Sequence, residues 1–297
     1  MPLHAVDHFE NSVLHVPAGY GRNGAGFRCA AMVGASNGSV HMGHRIADLS
    51  RGGHVDQLIH GFEKALYVLD GELDLALDGR VYRLGAGYFA LVPVAVAHAF
   101  RSELGARWVE MLAPQPRDGG VGDDTLFVEP FAWPASVDAP DLGDPRTRFI
   151  GRFEDSQLPP PSQLQMDGYS GGNVEGIRLK MLIDRNFGAH QLTLFVVEFA
   201  VGGGAKTHSH PFEESYFFLS GEAECRLDGE PLTVRAGDCV WSGVGSTHTF
   251  FTRGSVPVRW IETQAPQPPA MHAFRFENDW DAVRTRYSNI PNVNAAT

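Results

Sequence analysis

The stretch Phe62-Glu-Lys-Ala-Leu-Tyr-Val-Leu-Asp-Gly71 lies over Phe212-Glu-Glu-Ser-Tyr-Phe-Phe-Leu-Ser-Gly221 at a shift of 150 residues. The same shift aligns Asp78-Gly79 with Asp228-Gly229, Ala86-Gly87 with Ala236-Gly237, and His98-Ala-Phe100 with His248-Thr-Phe250, with no gap between. Further on the shift becomes 152, pairing Trp108 with Trp260 and Ala113-Pro-Gln-Pro116 with Ala265-Pro-Gln-Pro268. The chain is a tandem duplication, so its fold must be one that a single unit can adopt twice in succession.

Each copy reads as short apolar strands with turn residues at close intervals. In the first copy these are Leu66 to Leu69, a turn at Asp70-Gly71, Leu73 to Leu77, a turn at Asp78-Gly79, and so on to Arg107 to Leu112. That rhythm predicts an all-β chain of two sandwiches or barrels. At 297 residues and 43% hydrophobic content there is enough chain to bury two cores. The expected units are 1–116 and 176–268. The stretch 117–175, with Asp118-Gly-Gly-Val-Gly-Asp-Asp124, Pro159-Pro-Pro161 and Gly171-Gly172, is expected to be a linker. The stretch 269–297 is expected to be a tail whose aromatics, His272 to Trp280, pack on the other domain, with 286–297 poorly anchored.

The second copy carries a candidate metal site. His208 and His210 are two apart, so on an extended strand both imidazoles point to one side. Glu214 opens the next apolar run, and His248 follows a Gly243-Val-Gly245 turn. Three neutral imidazoles and one carboxylate suit a borderline divalent ion. The spacing G-x5-H-x-H-x3-E-x6-G is met by Gly202, His208, His210, Glu214 and Gly221. A second pattern, G-x5-P-x-G-x2-H, is met by Gly237, Gly245 and His248, with Gly243 where the proline would stand.

With these two motifs the chain resembles the cupins, which are small jelly-roll barrels. The resemblance implies two tandem cupin domains with His208, His210, Glu214 and His248 as metal ligands. The first copy departs from the pattern. His60 and His98 match His210 and His248, but Leu58 stands at the position of His208 and Lys64 at that of Glu214. An ammonium in place of the anionic ligand would repel a dication, so one ion per chain is expected. His60 and His98 read as hydrogen-bonded residues lining a vestigial cavity. Glu63, one residue off the ligand position, should face the opposite side of its strand.

By the same alternation Lys206, Phe212, Tyr216, Phe218 and Phe250 line the second cavity. Lys206 either holds a substrate carboxylate or is solvated, Tyr216 either donates a proton or orients a ligand, and the three phenylalanines are substrate contacts or barrel packing. The arrangement is also similar to the glyoxylate-induced bicupins and (S)-ureidoglycine aminohydrolases. That likeness implies a Mn2+-dependent hydrolase releasing ammonia from a small α-amino ureido acid, although those enzymes are expected to ligate with Glu, His, His and Gln. The alternatives are a dioxygenase acting on a small phenol, flavonol or diketone and a metal-bearing metabolite sensor. Mn2+ is the first expectation for the ion, with Fe2+, Ni2+, Co2+ or Zn2+ open.

The formal net charge of −11 and the lack of a Lys/Arg cluster argue against nucleic acid or an anionic membrane surface as partner. No stretch approaches the ~18 apolar residues of a membrane span, and the start does not read as a signal peptide. A cytoplasmic protein that binds a small molecule, with a homo-oligomer open, is the expectation. Cys29, Cys225 and Cys239 match no zinc spacing and are expected to be reduced. His4, His8, His15, His41, His44, His54, His190 and His272 form no spaced set and read as surface or turn residues.

Overall fold

The computed structural model describes residues 3–117, 124–163, 172–277 and Asp279. Within these, regular structure consists of β-strands and short 3-10 turns, and no helix is long and apolar enough to cross a membrane. The strands form two antiparallel sheets that follow the duplication. One is built mainly from the strands between Gly24 and Ala113, the other mainly from those between Val174 and Ala265.

The alternation predicted from sequence is seen in the burial. In Glu222–Leu227, Ala223, Cys225 and Leu227 are fully buried inside the second barrel while the residues between them are half-exposed. Leu73, Leu75 and Leu77 likewise belong to the interior of the first barrel, although Asp74 and Ala76 between them are also buried. The expected turn at Asp70-Gly71 is not a turn. The strand Glu63–Leu77 runs straight through it, with a bulge between Val68 and Asp70. Gly71 has φ +78°, and a Cβ there would sit 2.1 Å from the Gly105 carbonyl oxygen. Gly221 repeats this with φ +75° and the Pro257 carbonyl oxygen at 2.4 Å. Only glycine admits that backbone and that approach, which is why the duplicated strand breaks its apolar run there.

The apolar residues left over on those strands dock the two barrels together. Leu66 and Val68 face the interior of the first barrel, whereas Ala65 and Tyr67 face the second. Correspondingly Tyr216 and Phe218 face inward and Phe217 outward. With both faces covered, the runs 65–69 and 216–219 are apolar without alternation. The outward sets merge with Met42, Ile46, Met111, Leu194, Val196, Trp241 and Ile261 into one core shared by both barrels.

Glu63 and Glu213, 150 residues apart, clamp this interface reciprocally. Glu63 accepts from the backbone N–H of His190 at 2.8 Å, Gln191 at 3.1 Å and Leu192 at 3.3 Å. Glu213 accepts from Ser39 Oγ at 2.6 Å and the N–H groups of Val40 at 2.8 Å and His41 at 3.2 Å. The turns they grip are held from the far side by Gln115 and Gln267, which donate to the carbonyls of Ser39 and Met42 and of Ala189 and Leu192.

Segments outside the duplicated units cover the barrel edges. Ile150–Arg152, within the expected linker, pairs with Tyr88–Val92 in the first sheet, and Thr125–Phe127 pairs with Gly43–His60. His4–His8 crosses to the other barrel and pairs with Asp238–Ser242, the equivalent edge of the second sheet. Both otherwise open edges are thereby paired. His4 Nδ1 and His8 Nδ1 fasten that strand to Asp228 at 2.8 Å and Asp238 at 2.7 Å. The three cysteines are free and buried. Trp280 and residues 286–297 lie outside the described residues.

One histidine departs from its sequence reading. His44 is no surface residue but is completely buried in the shared core. Its Nδ1 lies 2.9 Å from Ser215 Oγ and 3.7 Å from Cys239 Sγ, and its Nε2 has no hydrogen-bond partner. It shares its side of the strand with Met42 and Ile46, so the alternation carries it inward. Burial pushes it down to about 3, so the folded chain holds it neutral while the unfolded chain protonates it below about 6.5. Stability is therefore complete above pH 6.5 and falls as pH drops toward 3, by about 1.4 kcal/mol per pH unit for such a group. The equivalent position in the other copy is Leu194. Replacing His44→Leu should cost about 1–3 kcal/mol at pH 7 through the stranded Ser215 hydroxyl. It should also make the loss of unfolding free energy between pH 6 and pH 5 shallower by about 1 kcal/mol. Denaturant titration of both proteins at each pH measures this, and parallel pH profiles would show that His44 is not held neutral.

Candidate metal centre

Strand register brings the four sequence-predicted donors to one end of the second barrel. His208 pairs directly with His248, and Glu214 lies opposite Gln264 on one side and Ser242 on the other. The three imidazoles offer nitrogens that all lie within 4.8 Å of one another, and all three rings are buried. Glu214 joins them with Oε2 at 3.2 Å from His210 Nε2 and 3.1 Å from His248 Nε2.

The outer ring nitrogens decide what the inner ones can do. His208 Nδ1 donates to the Lys206 carbonyl at 2.7 Å, His210 Nδ1 to the Ala273 carbonyl at 2.7 Å, and His248 Nδ1 to the Ser246 carbonyl at 3.3 Å. A carbonyl only accepts, so each Nδ1 carries a proton, and Nε2 is the atom each ring turns toward the shared point. Burial, and then the neighbouring imidazoles, hold His208 well below its usual range, and burial also lowers His210. Burial alone would raise the Glu214 carboxyl. His210, His248 and the Tyr216 hydroxyl outweigh it and bring Glu214 below the usual carboxylate range. Three imidazole nitrogens and a carboxylate packed this closely fit a divalent cation of borderline softness.

Glu214 is itself held. Gln264 Nε2 donates to its Oε1 at 2.9 Å, and the Tyr216 hydroxyl donates to Oε2 while lying 3.1 Å from His248 Nε2. Glu262, cross-strand from Tyr216, accepts from Trp260 Nε1 at 2.9 Å, and burial together with the Glu214 charge raises its carboxyl well above the usual range. Sequence reasoning missed Gln264 and Glu262. The Trp-x-Glu phrase of Trp108 and Glu110, repeated at Trp260 and Glu262, was the available signal.

The walls are aromatic. Phe212 stacks on His210 at 4.7 Å between ring centres, while Phe250 meets Tyr216 at 4.9 Å and Phe218 meets Trp260 at 5.4 Å, deeper in the barrel. Lys206 is half-exposed at the entrance and holds the site through its carbonyl. Among the described residues, the tail does not pack on the other domain as its sequence suggested. It folds back over its own barrel, where Arg275–Phe276 pairs with His208–Ser209. Phe276 lies 5.0 Å from the His208 ring and Phe274 4.7 Å from the His210 ring. Thr207 ties the strap down through Asp279 Oδ2 at 2.7 Å and the Glu277 N–H at 2.8 Å. A two-residue pairing leaves no periodic pattern to read, so the strap was invisible beforehand.

The first barrel shows what replaces the ion. Lys64 Nζ donates to Glu110 Oε1 at 3.2 Å, with both residues almost wholly buried, and Trp108 Nε1 donates to the same oxygen at 3.0 Å. Burial opposes the Glu110 charge, but Lys64 and Arg45 prevail and hold the carboxyl below its usual range. A resident ammonium thus stands where the second barrel presents the Glu214 carboxylate to its three imidazoles. His60 Nδ1 meets Thr125 Oγ1 at 2.9 Å and His98 Nδ1 donates to the Val96 carbonyl at 3.1 Å.

Two outcomes follow. Converting the first site with Leu58→His and Lys64→Glu should raise the metal content from one ion per chain to two by elemental analysis. A content still at one would mean that something other than these two side chains closes the first barrel. Ending the chain after Met271 removes the Ala273 acceptor and both phenylalanines, and should weaken metal binding by roughly 10–100-fold in chelator competition. Unchanged affinity would show that the strap does not orient His210.

The sequence model of the cupin domain matches this chain twice, over residues 46–112 and 195–263. The tetracenomycin polyketide synthase protein TcmJ of Streptomyces glaucescens is 30% identical over 96 residues, a match covering 31% of this chain and 64% of that protein's length. Among solved structures, the putative glyoxylate-induced protein of Pseudomonas aeruginosa superposes with a TM-score of 0.64 at 18% identity, covering 91% of this chain and 92% of that one. An oxalate decarboxylase of Bacillus subtilis, described for its Mn(II) centres, superposes with a TM-score of 0.62 at 14% identity, covering 95% and 83%. At such identities these structures share the fold. Two cupin matches at the two copies of the repeat, each on its own barrel, make this chain a bicupin of the cupin superfamily.

Proposed function

We propose that this bicupin is a metal-dependent enzyme with one centre per chain, in the second barrel, acting on a small molecule that reaches the ion between aromatic walls. The observation that carries this is the convergence of three Nε2 lone pairs and Glu214 in a buried pocket whose outer nitrogens are all locked by carbonyls. His208, His210, Glu214 and His248 would hold the divalent ion, which would supply Lewis-acid polarisation of a substrate oxygen or water or, if redox-active, chemistry with O2.

The walls favour a planar substrate. Phe212, Phe274 and Phe276 surround the histidines, and among the described residues no Lys or Arg forms an ion pair with Glu214. Such a pocket suits a phenol, flavonol or diketone oxidised with dioxygen. Tyr216, bonded to Glu214 and adjacent to His248, is placed to keep a proton at the edge of the donor cluster and return it to a substrate oxygen.

Lys206, two residues before His208, favours a second reading. It could hold the carboxylate of an α-amino ureido acid, and this chain would then be a Mn2+ enzyme releasing ammonia as the ureidoglycine aminohydrolases do. The Mn(II) centres of the B. subtilis oxalate decarboxylase support Mn2+ as the ion for either reading. Protein reloaded separately with Fe2+ and Mn2+ should consume oxygen with a panel of catechols, flavonols and β-diketones. Glu214→Gln and His208→Ala should lower that rate at least 100-fold. Ammonia from (S)-ureidoglycine without oxygen uptake would install the second reading. Inertness in both assays would leave the chain a metal-bearing metabolite sensor.

A further inference from the structure

The first barrel, without a metal set, holds a surplus of positive charge. Arg45 lies directly opposite Glu110 in the sheet, so its side chain projects to the same face, into the barrel that contains the Lys64–Glu110 pair. Two cations there share one carboxylate. Arg45 is only half-buried, and among the described residues no carboxylate lies within ion-pair distance of it. It opens onto a cleft of about 360 Å³ whose walls include Tyr20, Cys29, Phe62 and Thr125. The cleft's other cation, Arg117, is neutralised by Asp124 at its rim.

Behind the cleft lie two unpartnered polar atoms. His60 hydrogen-bonds Thr125 and stacks on Phe62 at 4.2 Å, so it sits immediately beneath two of the lining residues. Its Nε2 and that of His98 are both buried with no hydrogen-bond partner, and the two rings are 4.9 Å apart. Buried polar atoms without partners call for an occupant, a ligand or its water. The same position in the second barrel is Phe195, so the charge is peculiar to the first copy.

We propose that the first barrel is a second ligand site, taking a small organic carboxylate whose anionic end meets Arg45 and whose apolar or aromatic body lies against Tyr20 and Phe62. A guanidinium whose neighbour in the cleft is the Cys29 thiol and no carboxylate is suited to a carboxylate ligand, which it can bind through two parallel N–H donors. The cleft volume limits the ligand to roughly the size of a single ring with its carboxylate. The site is independent of the metal and of the reaction proposed for the second barrel.

The test uses full-length protein carrying His208→Ala, which removes the metal centre as a competing carboxylate site, titrated calorimetrically with benzoate and acetate at low salt. One benzoate per chain should bind, more tightly than acetate. Arg45→Met on that background should weaken benzoate at least tenfold, with Arg45→Lys between the two. Without ligand the Arg45→Met protein should melt close to its parent, because the charge it loses repels Lys64 as well as attracting Glu110. The upward shift of its melting temperature by benzoate should disappear. Benzoate binding that is equal in the Arg45→Met protein, or that occurs only in metal-loaded wild-type chain, overturns the proposal.

Discussion

The reciprocal grip of Glu63 and Glu213 on backbone amides of the opposite barrel is the constraint on which the rest of the architecture depends. Each carboxylate is buried, Glu63 accepting from three backbone N–H groups and Glu213 from Ser39 Oγ, two backbone N–H groups and Trp241 Nε1. Hydrogen bonds to an ionised group in such a setting contribute about 1.5–3 kcal/mol each. They fix the strands Glu63–Leu77 and Glu213–Ser220 relative to the partner barrel. Since Glu214 follows Glu213 directly, the docking contact also fixes where the metal-facing carboxylate emerges. Adjacent residues on a strand point to opposite faces, so docking and ligation are served by consecutive glutamates with no conflict of space.

That parity explains how the two copies diverged in chemistry without diverging in assembly. The outward residues of the duplicated strand, Glu63, Ala65 and Tyr67 against Glu213, Ser215 and Phe217, meet one shared core. The inward ones, Lys64 and Leu66 against Glu214 and Tyr216, meet separate cavities. Lys64 with Glu110 and Glu214 with the imidazoles are alternative solutions to one electrostatic requirement, a buried carboxylate that must find a positive partner. One copy carries its cation covalently; the other presents lone pairs for an ion.

Much of this was legible in the amino-acid order because it rests on period-two patterning and fixed spacing. The repeat located both barrels, and the spacing of His208, His210, Glu214 and His248 anticipated which side chains the register would bring together. The outward direction of Glu63 followed from alternation alone. What escaped lay in contacts distant in sequence with no pattern of their own. His4–His8 pairs with a strand more than 200 residues away, and nothing in five residues names the partner. The strap at Arg275–Phe276 is two residues long and reads as tail. His44 was misplaced because a histidine is ordinarily read as polar, although Met42 and Ile46 beside it mark the buried face. Gln264 and Glu262 were overlooked because they lie outside the ligand motif and act on Glu214 across the sheet.

Covalent linkage of the two barrels makes this asymmetry possible. In a symmetric pair of identical barrels any substitution appears twice, so Lys64 could not displace one ion without displacing both. Within one chain, His44 can face Ser215 and Cys239 while the equivalent positions hold Leu194, Ala65 and Phe89, all apolar. The docking core thereby becomes polar on one side of its pseudo-twofold axis and wholly apolar on the other. A buried polar contact of this kind disfavours alternative pairings in which it would be left unsatisfied. The same freedom lets the first barrel keep Arg45 where the second has Phe195, turning one cavity cationic while its neighbour stays aromatic. Duplication supplied two equivalent interiors, and the covalent tether allowed each to become a different chemical environment behind a docking surface that both still share.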